Sequence, residues 1–185
     1  SFFYAHAEKR QGRRTALLAL FGVFCGLAFL TKGFLAFAVP ASAIVPFLIW
    51  EGRWKDLLRV FWVPAVAAVL VALPWGLMIH HREPDFWNYF FWVEHVRRFF
   101  SLQEAQHSKP FWYFLPVIAG GALPWTALFP AAAVGLKQAG LRDPLLRFAL
   151  CWLLFPFLFF SASHGKLATY ILPCFAPLAI LLSKG

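Results

Sequence analysis

The sequence predicts an all-α integral membrane protein, because the chain is poor in charge and its apolar residues form long uninterrupted segments. Hydrophobic residues make up 61% of the chain and charged residues only 14%, whereas soluble domains average about 25% charged residues. Six uncharged segments follow one another, at residues 15–31, 33–50, 60–79, 110–136, 148–163 and 167–183. A spanning helix needs about 20 mostly apolar residues, so we expect about six transmembrane helices. Prolines inside these segments indicate kinks and broken helices.

The basic residues between the segments predict the orientation. Eleven of them fall on one side of the membrane, namely Lys9, Arg10, Arg13, Arg14, Arg53, Lys55, Arg59, Lys137, Arg142, Arg147 and Lys184. The other six are Lys32, Arg82, Arg97, Arg98, Lys109 and Lys166. Because cytoplasmic loops carry the excess of Lys and Arg, we expect the richer side to face the cytoplasm. The net charge of +9 is then mainly an orientation signal, and nucleic acid is not an expected partner.

Lys32 is the only charged residue between two uncharged segments. A lysine at the centre of the bilayer would cost about 2.5–3.5 kcal/mol on insertion scales. A tight turn at the outer surface avoids that cost, and Gly33 would permit the bend. We therefore expect Lys32 in an outer turn, close to the membrane.

The long outer linker from His80 to Pro110 predicts an amphipathic helix in the plane of the membrane interface. Its aromatic residues recur near helical spacing, and Asp85 is a candidate N-cap. Glu94 and Arg98 are four residues apart and could pair on one face. The alternative is an anchor helix whose arginines only meet lipid headgroups.

A third outer segment runs from Ser161 to Tyr170. Lys166 and Tyr170 are four residues apart and would share a face once a helix has begun. The alternative is an ordinary polar turn with a snorkelling lysine.

Together these segments bring cations to one membrane face and predict a site for an anionic headgroup, most simply a lipid-linked phosphate. Arginine suits bidentate phosphate contacts and lysine acts as a compact charge. The candidates are Lys32, Arg98, Lys166 and Tyr170, with Arg97, Glu94 and His95 as secondary candidates. The adjacent pair Glu94–His95 could hold a divalent cation only if ligands came from elsewhere, so we name no metal site and no cofactor.

Four motifs in order carry a resemblance to a known family. They are GLAFLTKG at Gly26–Gly33, FWVEHVRRF at Phe91–Phe99, KPFWYF at Lys109–Phe114 and GKLATYILP at Gly165–Pro173. The chain resembles the ArnT-like branch of the protein mannosyltransferase family over essentially its whole length. The resemblance implies that residues 1–185 are part of a single GT-C transmembrane domain. It also implies a multi-pass enzyme of the bacterial inner membrane whose active site faces the periplasm.

The implied reaction moves a sugar from a polyprenyl (undecaprenyl) phosphate donor to a lipid A-like or other periplasmic acceptor. By the resemblance, Lys32, Arg98, Lys166 and Tyr170 line the donor phosphate. The family's catalytic aspartate and its C-terminal periplasmic domain are expected outside these residues, so we expect no catalytic residue in the chain and no activity from it alone.

Two alternatives from other classes stay open. One is a lipid or solute transporter, which would show internal repeats. The other is a structural membrane subunit whose outer cations bind headgroups. Beyond the donor and the acceptor, membrane lipids are the expected partners. The donor sugar, the acceptor and the oligomeric state are not predicted.

Overall fold

The computed structural model describes residues 2–92, 109–163 and 165–184 and is predominantly helical. Its α-helices are α1 (Phe2–Ala7), α2 (Gln11–Lys32), α3 (Leu35–Trp50), α4 (Leu57–Arg82), α5 (Phe86–Asn88), α6 (Phe114–Gly121), α7 (Phe129–Ala139), α8 (Pro144–Ala162) and α9 (Phe175–Lys184). Short 3₁₀ helices at Trp54–Asp56, Phe111–Tyr113, Trp125–Leu128 and Ala168–Cys174 precede α4, α6, α7 and α9. The predicted all-α membrane fold is confirmed.

Each predicted apolar segment corresponds to helical structure, but the helices differ in length. Three are long and apolar enough to cross a membrane, at Gln11–Lys32, Trp54–Arg82 and Pro144–Ala162. A bent pair, Phe111–Gly121 with Trp125–Gln138, would make a fourth span, while Leu35–Trp50 and Ala168–Lys184 are shorter apolar helices. The number of six spans therefore stays a prediction.

The segment predicted as one span at residues 110–136 is broken. Its two halves meet at an angle of 105°, and the break falls at residues 122–124, after Gly120 and Gly121 and at Pro124. The hydroxyl of Thr126 donates to the carbonyl of Ala119 at 2.5 Å, which satisfies a carbonyl that the interrupted helix leaves without its backbone partner. Proline and the paired glycines explain the break, since neither favours a continuous helix.

The chain forms two compact units, of which the first comprises Ser1–Ala41 and Leu48–Trp92. In this unit α2 and α4 pack closely and run in the same direction. A Cβ at Gly22 would lie 2.3 Å from the carbonyl oxygen of Pro64, and one at Gly26 would lie 2.8 Å from that of Ala68. Glycines four residues apart let two membrane helices approach to backbone contact.

The second unit comprises Ser42–Phe47 and Val93–Gly185. Its apolar core forms where α8 meets α9, around Leu146, Ala149 and Leu181. Phe47 is fully buried and packs edge-on against Phe148 at 5.2 Å between ring centroids. The start of α8 is well defined because the Asp143 carboxylate accepts a hydrogen bond from the Leu145 N–H at 2.9 Å.

Candidate functional site

Lys32 is the last residue of α2 and its side chain is exposed. The N–H of Gly33 donates to the carbonyl of Phe29 at 2.9 Å, and Gly33 has a φ of 61°, which glycine adopts without strain. The predicted turn after Lys32 is therefore confirmed. Within the described ranges, no carboxylate forms an ion pair with the Lys32 ammonium group.

An aromatic cluster supports this turn. The ring of Phe29 packs against those of Phe34, Phe37 and Phe90, at 5.4, 5.7 and 5.9 Å between centroids. Phe29 and Lys32 are three residues apart on α2 and so lie on neighbouring parts of one helix face. The cluster therefore makes the surface next to the lysine apolar.

An apolar groove begins at the same phenylalanine. It is lined by Phe29, Val69, Ala72, Leu73, Trp75, Gly76, Leu77, His80 and Trp87. Phe29 comes from α2, the middle residues from α4, and Trp87 from α5. His80 is the one lining residue with an ionisable side chain. Such a groove is suited to a hydrocarbon chain, because it offers apolar contacts over several turns of α4.

Lys166 lies in the second unit and its side chain is turned inward, with 4% of the residue exposed. Its ammonium group donates to the carbonyl of Lys109 at 3.1 Å and, at shorter range, to the carbonyl of Ser163. Burial lowers the pKa of Lys166 below its usual value. Neither acceptor carries a charge, so an anion at this position would offset the desolvation of the ammonium group.

Tyr170 lies in the 3₁₀ helix Ala168–Cys174 and its ring packs against Phe160 at 5.6 Å. Phe160 in turn packs against the fully buried Phe114 at 6.5 Å, so the tyrosine rests on the core. Lys166 and Tyr170 do not share a helix face, so that prediction is wrong. Lys166 precedes the helix, and Leu167 between them has extended backbone with φ −112° and ψ 143°.

Ser161 lies near the end of α8 and is not among the predicted site residues. Its hydroxyl is buried, and in the part of the chain that the structure describes it has no hydrogen-bond partner. Ser163, two residues on, donates to the carbonyl of Gly165 at 3.3 Å. The run of small polar residues after α8 was the available signal, but which hydroxyl stays unpaired depends on the tertiary structure.

The outer linker is described only in part. Glu94, His95, Arg97 and Arg98 lie outside the described residues. Before them, α5 continues into a wider helical turn at residues 89–92. Asp85 is not a side-chain N-cap: its backbone is helical, with φ −80° and ψ −7°, and its carboxylate makes no capping bond, because a cap needs extended backbone at that position.

No group of three or more His, Cys, Asp or Glu side chains within residues 2–92, 109–163 and 165–184 could hold a metal ion. The three cysteines, Cys25, Cys151 and Cys174, are buried and free.

Comparison with known proteins gives one consistent result. A family model for dolichyl-phosphate-mannose-protein mannosyltransferases matches residues 1–90. The chain is 52% identical to the undecaprenyl phosphate-alpha-4-amino-4-deoxy-L-arabinose arabinosyl transferase of Shewanella sediminis, over 100% of this chain and 34% of that protein. It is 48% identical to the protein of the same name from Aeromonas hydrophila, with the same two coverages.

Solved structures agree. The crystal structure of ArnT from Cupriavidus metallidurans bound to undecaprenyl phosphate superposes with a TM-score of 0.78 and 33% identity, over 91% of this chain and 30% of that one. The apo structure of the same protein gives a TM-score of 0.75 and 30% identity, over 95% and 31%. The chain thus spans about a third of the length of the relatives it matches.

The helical membrane architecture and these superpositions define a chain with the GT-C fold. Within that class, the matches along the whole chain identify the family. The chain belongs to the ArnT-like branch of the protein mannosyltransferase family.

Proposed function

We propose that this chain works within a membrane glycosyltransferase that moves a sugar from an undecaprenyl phosphate donor to a lipid A-like or other periplasmic acceptor. The chain supplies the side of the site that binds the lipid phosphate. The observation that carries this proposal is the buried ammonium group of Lys166, to which the described residues offer only uncharged carbonyls. Relatives named as aminoarabinose transferases, about half identical to this chain, support 4-amino-4-deoxy-L-arabinose as the sugar.

The reaction exchanges one bond at the anomeric carbon for another. The bond to the phosphate oxygen breaks, a bond to the acceptor oxygen forms, and the acceptor proton passes to a general base. The base is expected outside these residues, as the catalytic aspartate of the family. Negative charge grows on the leaving phosphate in the transition state. Cations there speed the reaction only if they bind the phosphate more strongly in the transition state than in the ground state.

Four residues are proposed to bind the donor phosphate. In the second unit, Lys166 contributes a buried charge and Tyr170 a hydroxyl held by its packing on Phe160. In the first unit, Lys32 contributes an exposed charge. Arg98 is proposed as a bidentate ligand, with Arg97, Glu94 and His95 as secondary contacts.

The apolar groove that begins at Phe29 supports a lipid donor, because a polyprenyl chain needs a continuous apolar surface. We place the protein in the bacterial inner membrane with the active site facing the periplasm. The excess of basic residues on the opposite side supports this orientation.

The test uses the full-length protein in proteoliposomes with an undecaprenyl phosphate-linked sugar donor. Lys32→Ala, Arg98→Ala and Tyr170→Phe should each lower transfer, by about 10²-fold where a charge-stabilising donor is lost. Lys137→Ala, at an exposed lysine of α7, is the matched control and should transfer at the normal rate. Normal transfer by both Lys32→Ala and Arg98→Ala would overturn the phosphate site.

The same assay separates the alternatives. A transporter would move the intact lipid without cleaving the sugar from its phosphate, and a headgroup-binding subunit would tolerate Arg98→Lys. A phosphate site should lose activity in Arg98→Lys, because lysine cannot make the bidentate contact.

A further inference from the structure

The end of the first unit opposite Lys32 carries an exposed apolar surface that lies outside the proposed donor site. On α4, the residues that pack toward α2 are Val60, Pro64 and Ala68, which are all buried. Leu58 and Trp62 lie on the other side of the same helix, with 84% and 71% of their surface exposed. This side of α4 therefore has no packing partner within the described residues of the first unit.

The exposed side forms an apolar groove. Leu57, Leu58, Phe61, Trp62 and Ala65 line it along two turns of α4. Trp54 precedes these residues in the sequence, is 60% exposed and belongs to the 3₁₀ helix that leads into α4. Tryptophan at the end of a membrane helix is typical of the headgroup level.

Cations lie beside this groove. The ammonium group of Lys55 sits over the ring of Trp54, 5.8 Å from its centroid. Arg59, in the first turn of α4, is also exposed, and its guanidinium contacts the uncharged side-chain amide of Gln11. Lys55 and Arg59 therefore lie at the same end of α4 as Trp54 and Leu58.

The adjacent carboxylate, that of Asp56, is not expected to repel an anion here. The carboxylate of Asp56 pairs with Arg53 at 2.5 Å and with Arg14 at 3.3 Å. Those bonds neutralise it, whereas Lys55 and Arg59 form no ion pair in the described part of the chain. The local field at the mouth of the groove is therefore positive.

The geometry points to a binding site for an anionic phospholipid at this surface, with an acyl chain in the groove and the phosphate at Lys55 and Arg59. Trp54 holds Lys55 by cation–π contact at the depth of the headgroup. A zwitterionic lipid would fill the groove equally well but would gain less from the two cations. The bound lipid anchors the protein in the leaflet on the side of the membrane that carries the excess of basic residues. This site is separate from the proposed donor site.

The test titrates the full-length protein in detergent with phosphatidylglycerol or phosphatidylcholine and follows binding by native mass spectrometry. The wild-type protein should bind phosphatidylglycerol more tightly, and added salt should reduce the difference. Lys55→Gln with Arg59→Gln should weaken phosphatidylglycerol binding roughly five-fold for each charge removed, since a basic residue near an anionic surface contributes about 1 kcal/mol. Lys55→Arg should keep the preference.

The matched control is Lys137→Gln with Arg142→Gln, which removes two exposed charges in the second unit and should leave the preference intact. Equal binding of both lipids by the wild-type protein, or an unchanged preference in the Lys55→Gln, Arg59→Gln variant, overturns the proposal. Leu58→Ala tests whether another part of the protein, instead of a lipid, occupies the groove. If it lowers the unfolding temperature in lipid-free detergent and leaves lipid binding unchanged, the groove is covered by protein and the lipid site is refuted.

Discussion

Replacing Gly22 with alanine should force α2 and α4 apart. The added Cβ would lie 2.3 Å from the carbonyl oxygen of Pro64 and 2.5 Å from its Cα, and these are backbone atoms that cannot rotate away. Ordinary van der Waals contact begins at 3.4 Å, so the two helices must separate locally by about 1 Å. Separation loosens the packing along the whole crossing, because Gly26 meets Ala68 one turn further on.

The net effect combines two terms of opposite sign. Overpacking a close contact costs about 1–3 kcal/mol. Alanine is favoured over glycine inside a helix by roughly 0.5–1 kcal/mol. We therefore expect Gly22→Ala to lower the free energy of unfolding by up to about 2 kcal/mol. Gly12→Ala is the matched control, because it changes the same helix where nothing lies within 4 Å of the new Cβ.

The assay is thermal unfolding of the full-length protein in one detergent, with wild type and both variants side by side. Gly12→Ala should unfold at or slightly above the wild-type temperature, and Gly22→Ala below it. The groove that begins at Phe29 is lined from both α2 and α4, so Gly22→Ala should also raise the KM for the lipid donor. An unfolding temperature for Gly22→Ala equal to that of Gly12→Ala would refute the close crossing.

Three further predictions follow from the charged groups. Burial lowers the pKa of Lys166, so Lys166 loses its positive charge at lower pH than an ordinary lysine, and the KM for the proposed donor should rise in the alkaline range. Lys166→Arg keeps its charge and should make that rise smaller than in wild type. Asp56 is lowered in pKa although partial burial opposes this, because Arg53 and Arg14 bind its charged form. The ion pairs of Asp56 therefore stabilise the fold above pH 3.8, and this stabilisation is lost as pH falls through the lower pKa of the folded state. Asp56→Asn should lower the unfolding temperature at neutral pH. The difference from wild type should vanish in acid. Lys32→Cys should be labelled by a membrane-impermeant maleimide added from the periplasmic side of spheroplasts; labelling only after the cytoplasmic side is exposed would reverse the proposed orientation.

Local sequence patterns predicted the helices and the turn whose structure depends mainly on neighbouring residues. The uncharged segments predicted helices, since membrane-length apolar runs have few other structures open to them. One charged residue and one glycine predicted the turn at Lys32. In the structure, α2 ends at Lys32 and Gly33 has the positive φ of a turn. The crossing of α2 and α4 also had a signal in the spacing of Gly22 and Gly26, but the sequence does not say which helix supplies the partner.

Contacts between distant segments could not be predicted in this way. Lys166 meets the carbonyl of Lys109 across 57 positions of the sequence. Helical spacing predicted that it would share a face with Tyr170, but spacing gives a direction only once a helix has begun. The buried position of Lys166 reflects the irregular backbone between α8 and the 3₁₀ helix, where no period applies. The prediction of Asp85 as an N-cap failed for a similar reason. Capping requires a particular backbone conformation at Asp85, and the sequence does not reveal that conformation.

The basic residues used to predict orientation do not all have the same role. Arg14 and Arg53 share the carboxylate of Asp56, and Arg53 also contacts the His6 ring at 3.3 Å. Burial and the charges of Arg53 and Arg14 lower the pKa of His6 to about 4, so near neutral pH the histidine is uncharged and has a nitrogen that can accept from Arg53. Two of the counted arginines are thus committed to joining α1, α2 and the start of α4. Basic residues that count alike in predicting orientation therefore differ in structural role, because Arg14 and Arg53 fix the ends of these helices whereas Lys55 is exposed.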